Sequence, residues 1–465
     1  MSQNPRSDNS GDVEGSSAPV EQSDDSGRSY LMWFGVVSGS VLVGLVGIYL
    51  LLTMSWKEEA HLQLNALKEE QLPEGTSSLA EAYRHRHPER TDYSDWSLPE
   101  NLEQAWNDIV SANDLYGSAV GTLTHRSASP ETRRKQAKNV LKQLASHQAA
   151  LQDLLEEHRQ PAVYTFDDTL ISEPKLLERE LESHIFSGYA KALIDAGQPA
   201  QAVPVIRTLF RRGRVICREP SLTAVLVGFS YMNRAVSLLE LLLSRPELPG
   251  RTPVVFKPLQ LESLKSDFEF AVVADAMNMT NMIMTQLEEA DSDGASDDGG
   301  ASGSFPMGYM WLPIANLVQD YRQVIDDVEQ PYRRVHRRMK RRSAELRDAS
   351  WLGRLTHIYS VVTLSGFHST YETYPATTSK LRLARLAVRA KLQAQKVNGE
   401  LVPLPGMEQS TDPFTGEPFH VKETEEHVIL YSTGPNMEDN GGKLRHLTED
   451  DEEGTDVGIR IDKER

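Results

Sequence analysis

REPSLTAVLVGFSYMNRAVSLLELLL, residues Arg218–Leu243, decides the fold. Glu219-Pro220-Ser221 reads as a helix opening, with proline where the first turn has no use for its N–H. The apolar run behind it predicts a very apolar helix over 219–245. Working outward, the same helical signals recur on both sides. Residues 174–196 and 199–213 read as a helix pair around Gly197-Gln198-Pro199. Residues 130–157 open with Ser129-Pro130-Glu131 and then carry Val140, Leu141, Leu144, Leu151, Leu154 and Leu155 on one face. Residues 98–123 carry Leu102, Ala105, Trp106, Ile109 and Val110 at i, i+3, i+4, i+7 spacing. On the C-terminal side, helices are expected at 259–289, 312–348, 351–367 and 376–397. The chain from 98 to 397 is therefore almost wholly helical.

Ser29 to Trp56 contains no charged residue, and most of it is apolar: YLMWFGVVSGSVLVGLVGIYLLLTMSW from Tyr30. About 20 apolar residues suffice to cross a hydrocarbon core of ~30 Å. Tyr30, Trp33 and Trp56 stand near its ends, as interfacial aromatics do. The run is longer than the ~7–15 apolar residues of a cleaved signal peptide. It is expected to be an uncleaved transmembrane anchor of the bacterial inner (cytoplasmic) membrane. A short polar N-terminus ahead of it favours an N-terminus inside and a body in the periplasm or exterior. Gly35 and Gly39 are spaced to let two such helices approach closely, which suggests a homodimer; glycine is also common in membrane helices for other reasons.

The formal net charge is −18. The N-terminal 29 residues, the segment 290–304 (ADSDGASDDGGASGS) and residues 436–465 carry net charges of −4, −4 and −5, which is most of it. A uniformly acidic protein is excluded, and nucleic acid is not an expected partner, because phosphate binding needs broad clusters of Lys and Arg. Residues 1–28 read as a disordered cytoplasmic tail and 290–304 as a flexible acidic insert. Cys217 is the single cysteine, so no intrachain disulfide can form. It reads as a small buried apolar residue, with Arg214 and Arg218 as the only argument for a reactive thiol.

No Walker loop, Gly-rich dinucleotide turn, HExxH or GxSxG occurs. His85 and His87 lie in an exposed polar segment. The stretch HIYSVVTLSGFHSTYETY brings His357 and His368 near Tyr359, Tyr371 and Tyr374, which reads as core in preference to a pocket. The cluster Met277–Met284 likewise reads as core. The one patch that opposes the general acidity is PYRRVHRRMKRRSAELR, Pro331–Arg347, with eight Lys and Arg. On a helix Arg334, Arg337, Arg338, Arg341 and Arg342 are expected to share a face. That face suits anionic lipid headgroups or an acidic partner; a solvated helix surface is the simpler alternative.

Strand signals come late. Pro413, Gly416 and Pro418 mark a turn, and alternation follows in EEHVILYSTGPN (Glu425–Asn436) and TDVGIRI (Thr455–Ile461), which predicts a small antiparallel sheet after a long helix.

Three resemblances are visible. YAKALIDAGQPAQAVPVIRTLFRRG (Tyr189–Gly213) resembles a tetratricopeptide-type hairpin, without a second copy at the ~34-residue period of that repeat. A helix followed by DPFTGEPF, ILYSTGPN, an acidic Gly-Gly loop and TDVGIRI resembles the C-terminal half of a major pseudopilin of type II secretion. The helical part, above all Arg218–Leu243, resembles an uncharacterised bacterial family of membrane-anchored helical proteins that end in the same module. The pseudopilin resemblance implies a long helix packed on a small sheet, with Ca2+ in the acidic loop. The matching ligands would be Glu438, Asp439 and Asp456, with carbonyls from Tyr431–Met437; Asp450 and Asp451 could substitute, and a solvated loop closed by turn glycines is the alternative. Ser29–Trp56 lacks the glutamate of a pilin N-terminus, so the module is expected to serve as a cap or docking surface.

The expected fold class is thus mainly α: a single transmembrane helix (29–56), a polar linker or helix (57–97), an α-helical body with a tetratricopeptide-like hairpin (98–375) and a small C-terminal α+β pseudopilin-like module (376–465). The expected function is a membrane-anchored envelope scaffold or docking protein. The alternatives are an accessory component of a secretion or pilus-like system and a hydrolase whose site the sequence does not locate.

Overall fold

The computed structural model describes residues 48, 51–72, 81–82, 100–112, 129–157, 176–245, 248–250, 252–256, 261–293, 310–328, 330–350, 353, 357–396, 410–444 and 456–463. The chain divides into two units, Met1–Ser55 and Trp56–Arg465. In the first, residues 48 and 51–55 are described and helical. The remainder of the expected transmembrane stretch, with Gly35 and Gly39, lies outside the described residues.

The second unit is mainly α-helical, with one small sheet. Its helices are α1 (56–71), α2 (Glu100–Ala112), α3 (Pro130–Leu144), α4 (Gln148–Glu157), α5 (Leu176–Asp195), α6 (Pro199–Ile216), α7 (Leu222–Leu243), α8 (Leu261–Asp293), α9 (Trp311–Val328), α10 (Tyr332–Asp348) and α11 (Ile358–Lys396). Strands β1 (His420–Glu423), β2 (His427–Ser432) and β3 (Val457–Asp462) follow.

Helix α7 is long and apolar enough to cross a membrane by length and composition. Most of its side chains are nonetheless buried inside the body. A helix that is apolar all round must be surrounded, and α5, α6, α8, α11 and β3 pack around this one. The approach to α6 is close. A Cβ on Gly228 would lie 2.5 Å from Cys217 Sγ and 2.6 Å from the carbonyl oxygen of Gly213, so only glycine fits. Cys217 is buried in that crossing, and burial pushes its thiol pKa up. Gly197 serves the turn between α5 and α6, with φ +87 and open space around it. A second glycine contact seats Trp106 of α2 against Gly188 of α5.

Charged groups are buried in the same bundle. Arg179 pairs with Glu219. Arg212 Nε lies 3.6 Å from Glu182, whose side chain is fully buried, and the Tyr231 hydroxyl lies 3.0 Å from the same carboxylate. Arg214 pairs with Asp267 of α8, with both side chains nearly inaccessible. Such pairs add little net stability, but halving one leaves a buried charge uncompensated.

A second core cluster joins α1, α8 and α9. It contains Ala60, Leu64 and Leu67 of α1, Met277, Met284 and Leu287 of α8, and Trp311, Ile314 and Val318 of α9. The helix expected after the anchor is therefore a structural part of the body and not a linker. Met277 and Met284 are core, as expected, while Met282 is exposed.

Three helix boundaries differ from expectation. Helix α8 continues to Asp293, so the first residues of the acidic insert 290–304 are helical, and 294–309 lie outside the described residues. The stretch 312–348 is two helices, because Pro331 has no N–H to donate and disfavours helix in the residue before it. Conversely, 358–396 is one helix that passes through Pro375. The boundary expected at 375/376 falls inside it. Buried Tyr371, Thr377, Thr378, Ser379 and Leu381 surround that proline, and this packing outweighs one missing backbone bond.

The sheet is antiparallel in the order β1-β2-β3. Val428 pairs with Ile461 and Leu430 with Ile459; these four join the main core, and α11 packs against β2 and β3. Ile429 and Tyr431 point to the other face and meet Leu444. Asp412 ties the DPFTG turn to this sheet, since its carboxylate accepts the Phe414 N–H at 3.0 Å and the Ser432 hydroxyl at 2.8 Å.

Two outcomes test this packing. Gly228→Ala is expected to cost about 1–3 kcal/mol in denaturant unfolding, as overpacking does, with Gly250→Ala, which meets nothing within 4 Å, as the neutral control. Asp267→Ala is expected to cost about 3–5 kcal/mol, while the double change Arg214→Met, Asp267→Leu recovers most of the loss. A double variant as unstable as the single one would show that the pair holds the bundle by its charge.

Candidate functional site: the basic helix and the groove beside it

Helix α10 is oriented by its apolar residues. Tyr332, Val335, Met339 and Leu346 are buried, so this stripe points inward and fixes where each arginine goes. The five arginines expected on one face do not share it. Arg338 and Arg342 turn toward α9, where Arg338 pairs with Asp327 and Arg342 lies 3.2 Å from Asp320. Arg341 bonds Glu345 within its own helix at 2.9 Å, and Arg334 bonds Gln330 at 3.0 Å. Arg337 is exposed, together with Arg333, Lys340 and Arg347, and among the described residues none of these four has an ion-pair or hydrogen-bond partner. The reason is angular. From Arg337 to Arg342 is five steps of 100°, which is 140° around the helix and too wide for a single face.

Between α1, α9 and α10 lies a polar groove of about 1040 Å³, lined among others by Glu59, Gln63, Asp320, Arg322, Arg342 and His357. His357 Nδ1 is 3.9 Å from Asp320 and 3.5 Å from Arg342. Burial lowers the His357 pKa and Arg342 lowers it further, against the pull of Asp320. Burial also pushes Asp327 above the usual carboxylate range, against the pull of Arg338. An imidazole beside a carboxylate is the material of acid–base chemistry, and a hydrolase would require such convergence. Here Asp320 is bonded to Arg342, Arg322 reaches Gln63 and Glu70, and Arg338 holds Asp327. The groove is largely neutralised from within. Asp320 and Asp327, seven apart on one face of α9, are the partners that the sequence reading missed.

The remaining expected residues are placed as follows. Tyr371 and Tyr374 pack on Phe268, with Tyr374 stacked at 4.9 Å, so they are core. His85 and His87 lie outside the described residues, and so do Asp450 and Asp451.

In the acidic loop, the carboxylates are engaged by N–H donors. Asp456 accepts the Asn440 N–H at 3.2 Å and the Gly442 N–H at 2.7 Å. Asp439 accepts the Gly441 N–H at 2.8 Å and the Tyr431 hydroxyl at 3.0 Å. Gly441 and Gly442 deliver these donors from φ +70 and +74, a conformation that glycine adopts without strain. Glu438 is exposed. A calcium ion needs oxygens directed at one point, whereas Asp439 and Asp456 here face N–H and O–H donors. Among the described residues no group of three or more His, Cys, Asp or Glu is gathered to hold a metal.

The two carboxylates therefore act as loop caps. Asp456→Ala is expected to lower stability by about 1–3 kcal/mol, the cost of leaving buried donors unmet. The loss should be equal in millimolar calcium and in chelator when read by thermal unfolding; a calcium-dependent difference would overturn the cap reading. The chain matches no family model, no curated protein and no solved structure.

Proposed function

We propose that the protein is a single-pass membrane-anchored docking scaffold of the bacterial envelope, with its N-terminus in the cytoplasm and its body outside. One observation carries the reading. Among the described residues, the large exposed apolar side chains include Ile48, Leu51, Leu52 and Met54, all within the charge-free stretch, and two of them are 70% and 69% exposed. Exposed apolar side chains in succession mark an interaction surface. In a stretch without charges long enough to span a bilayer, the surface is lipid.

The body fits a scaffold better than an enzyme, since the polar groove spends its charges on its own partners. The α11–sheet end keeps the pseudopilin-like reading as a docking module, and the α5–α6 pair keeps the tetratricopeptide-like reading. An accessory role in a secretion or pilus-like system belongs to the same proposal, as does dimerisation through Gly35 and Gly39.

Alkaline carbonate extraction followed by protease treatment of spheroplasts tests it. The protein is expected to stay in the membrane pellet, with the body digested from outside and an N-terminal tag protected. Release into the alkaline supernatant would remove the anchor, and a protected body would reverse the orientation.

A further inference from the structure

The outward face of α10 is a continuous cationic ridge. At 100° per residue, Arg333, Arg337, Lys340, Ala344 and Arg347 fall within roughly 80° of arc, opposite the buried Val335, Met339 and Leu346. The ridge runs about 21 Å at 1.5 Å per residue. Arg341 and Arg334 flank it, and Arg341 is 81% exposed. Acidic side chains compensate the inward arginines, Arg338 and Arg342, but among the described residues the ridge itself has no such partner.

The path of the helices tells where the ridge leads. Trp311 opens α9 beside the first turns of α1, with Lys57 4.9 Å above its ring and His61 5.8 Å from it. Further on, Arg322 of α9 reaches Gln63 and Glu70 of α1. The two helices therefore run in the same direction. Helix α10 runs back, because Arg338 meets Asp327 and the later Arg342 meets the earlier Asp320. The Arg341–Arg347 end of the ridge thus returns toward the end of the body at which Trp56 enters.

We infer that this ridge is a docking surface for an anionic phospholipid bilayer, a reading that rests on the membrane anchor proposed above. The argument is charge complementarity plus tethering. The uncharged stretch ends where the body begins, at Trp56, so an anchored body would be held beside a bilayer surface at high effective concentration. Guanidinium and ammonium groups on long apolar stems suit the headgroup layer. Each basic residue held near an anionic surface raises the docked-to-undocked ratio about fivefold.

The test uses the full chain in nanodiscs of phosphatidylcholine alone, or with phosphatidylglycerol added. An environment-sensitive fluorophore on Ala344→Cys sits in the middle of the ridge; Cys217 is buried and does not compete for label. A blue shift is expected with phosphatidylglycerol only. It is lost in about 1 M salt, where screening reaches ~3 Å. It is also lost in the variant Arg333→Gln, Arg337→Gln, Lys340→Gln, Arg347→Gln, and kept when the three arginines become lysine. Equal emission on both lipids, or a shift that survives the glutamine changes, would overturn the inference. A response to soluble polyglutamate but not to phosphatidylglycerol would assign the ridge to an acidic protein and overturn it as well. A chain that fails to co-elute with either nanodisc overturns the anchor reading and the ridge with it.

Discussion

The burial of α7 is the constraint on which the rest of the body depends. A helix of that apolarity has two stable environments, a bilayer or a shell of other elements. Here a shell built from α5, α6, α8, α11 and β3 buries most of its side chains. Building it demands close approach, which Gly213 and Gly228 supply at the α6 crossing. It also places charged residues of the neighbouring helices out of reach of water. Arg179, Glu182, Arg212, Arg214, Glu219 and Asp267 are buried as a result, and each is held by an opposite charge. The polar interior thus follows from the apolar helix at its centre.

How legible this was depends on the range of the interactions concerned. Helices between 98 and 397 were readable because a period of 3.6 is a local property, and α5, α6 and α7 fall close to the expected limits. Boundaries set by tertiary packing were not. Pro375 argues locally for a break, and the buried residues around it overrule that argument. The ion pairs were invisible for the same reason: Arg179 and Glu219 are forty positions apart, and nothing in either segment names the other. The rotation of α10 was readable in principle, since Val335, Met339 and Leu346 define its inner side and place Arg338 and Arg342 nearer to it than Arg337.

Charge is distributed with the same logic. Most of the excess acid lies in the N-terminal tail, the insert and the C-terminal loop, while α9 carries the acids that meet the inner arginines of α10. In the Gly-Gly loop, acidity goes into holding backbone N–H groups: Asp439 and Asp456 stand where the turn exposes its donors. Sequence composition can count such carboxylates, but only geometry tells whether they face a cation or a peptide N–H.

Helix α1 has one more consequence. Ala60, Leu64 and Leu67 are among the most deeply buried residues of the second core, against Met277, Trp311 and Val318. The segment that follows the charge-free stretch is thus a wall of the body and not a leash. A body that lost α1 after proteolysis between α1 and α2 would have one side of that core open to water. Loss of α1 and unfolding of the body are coupled at this point.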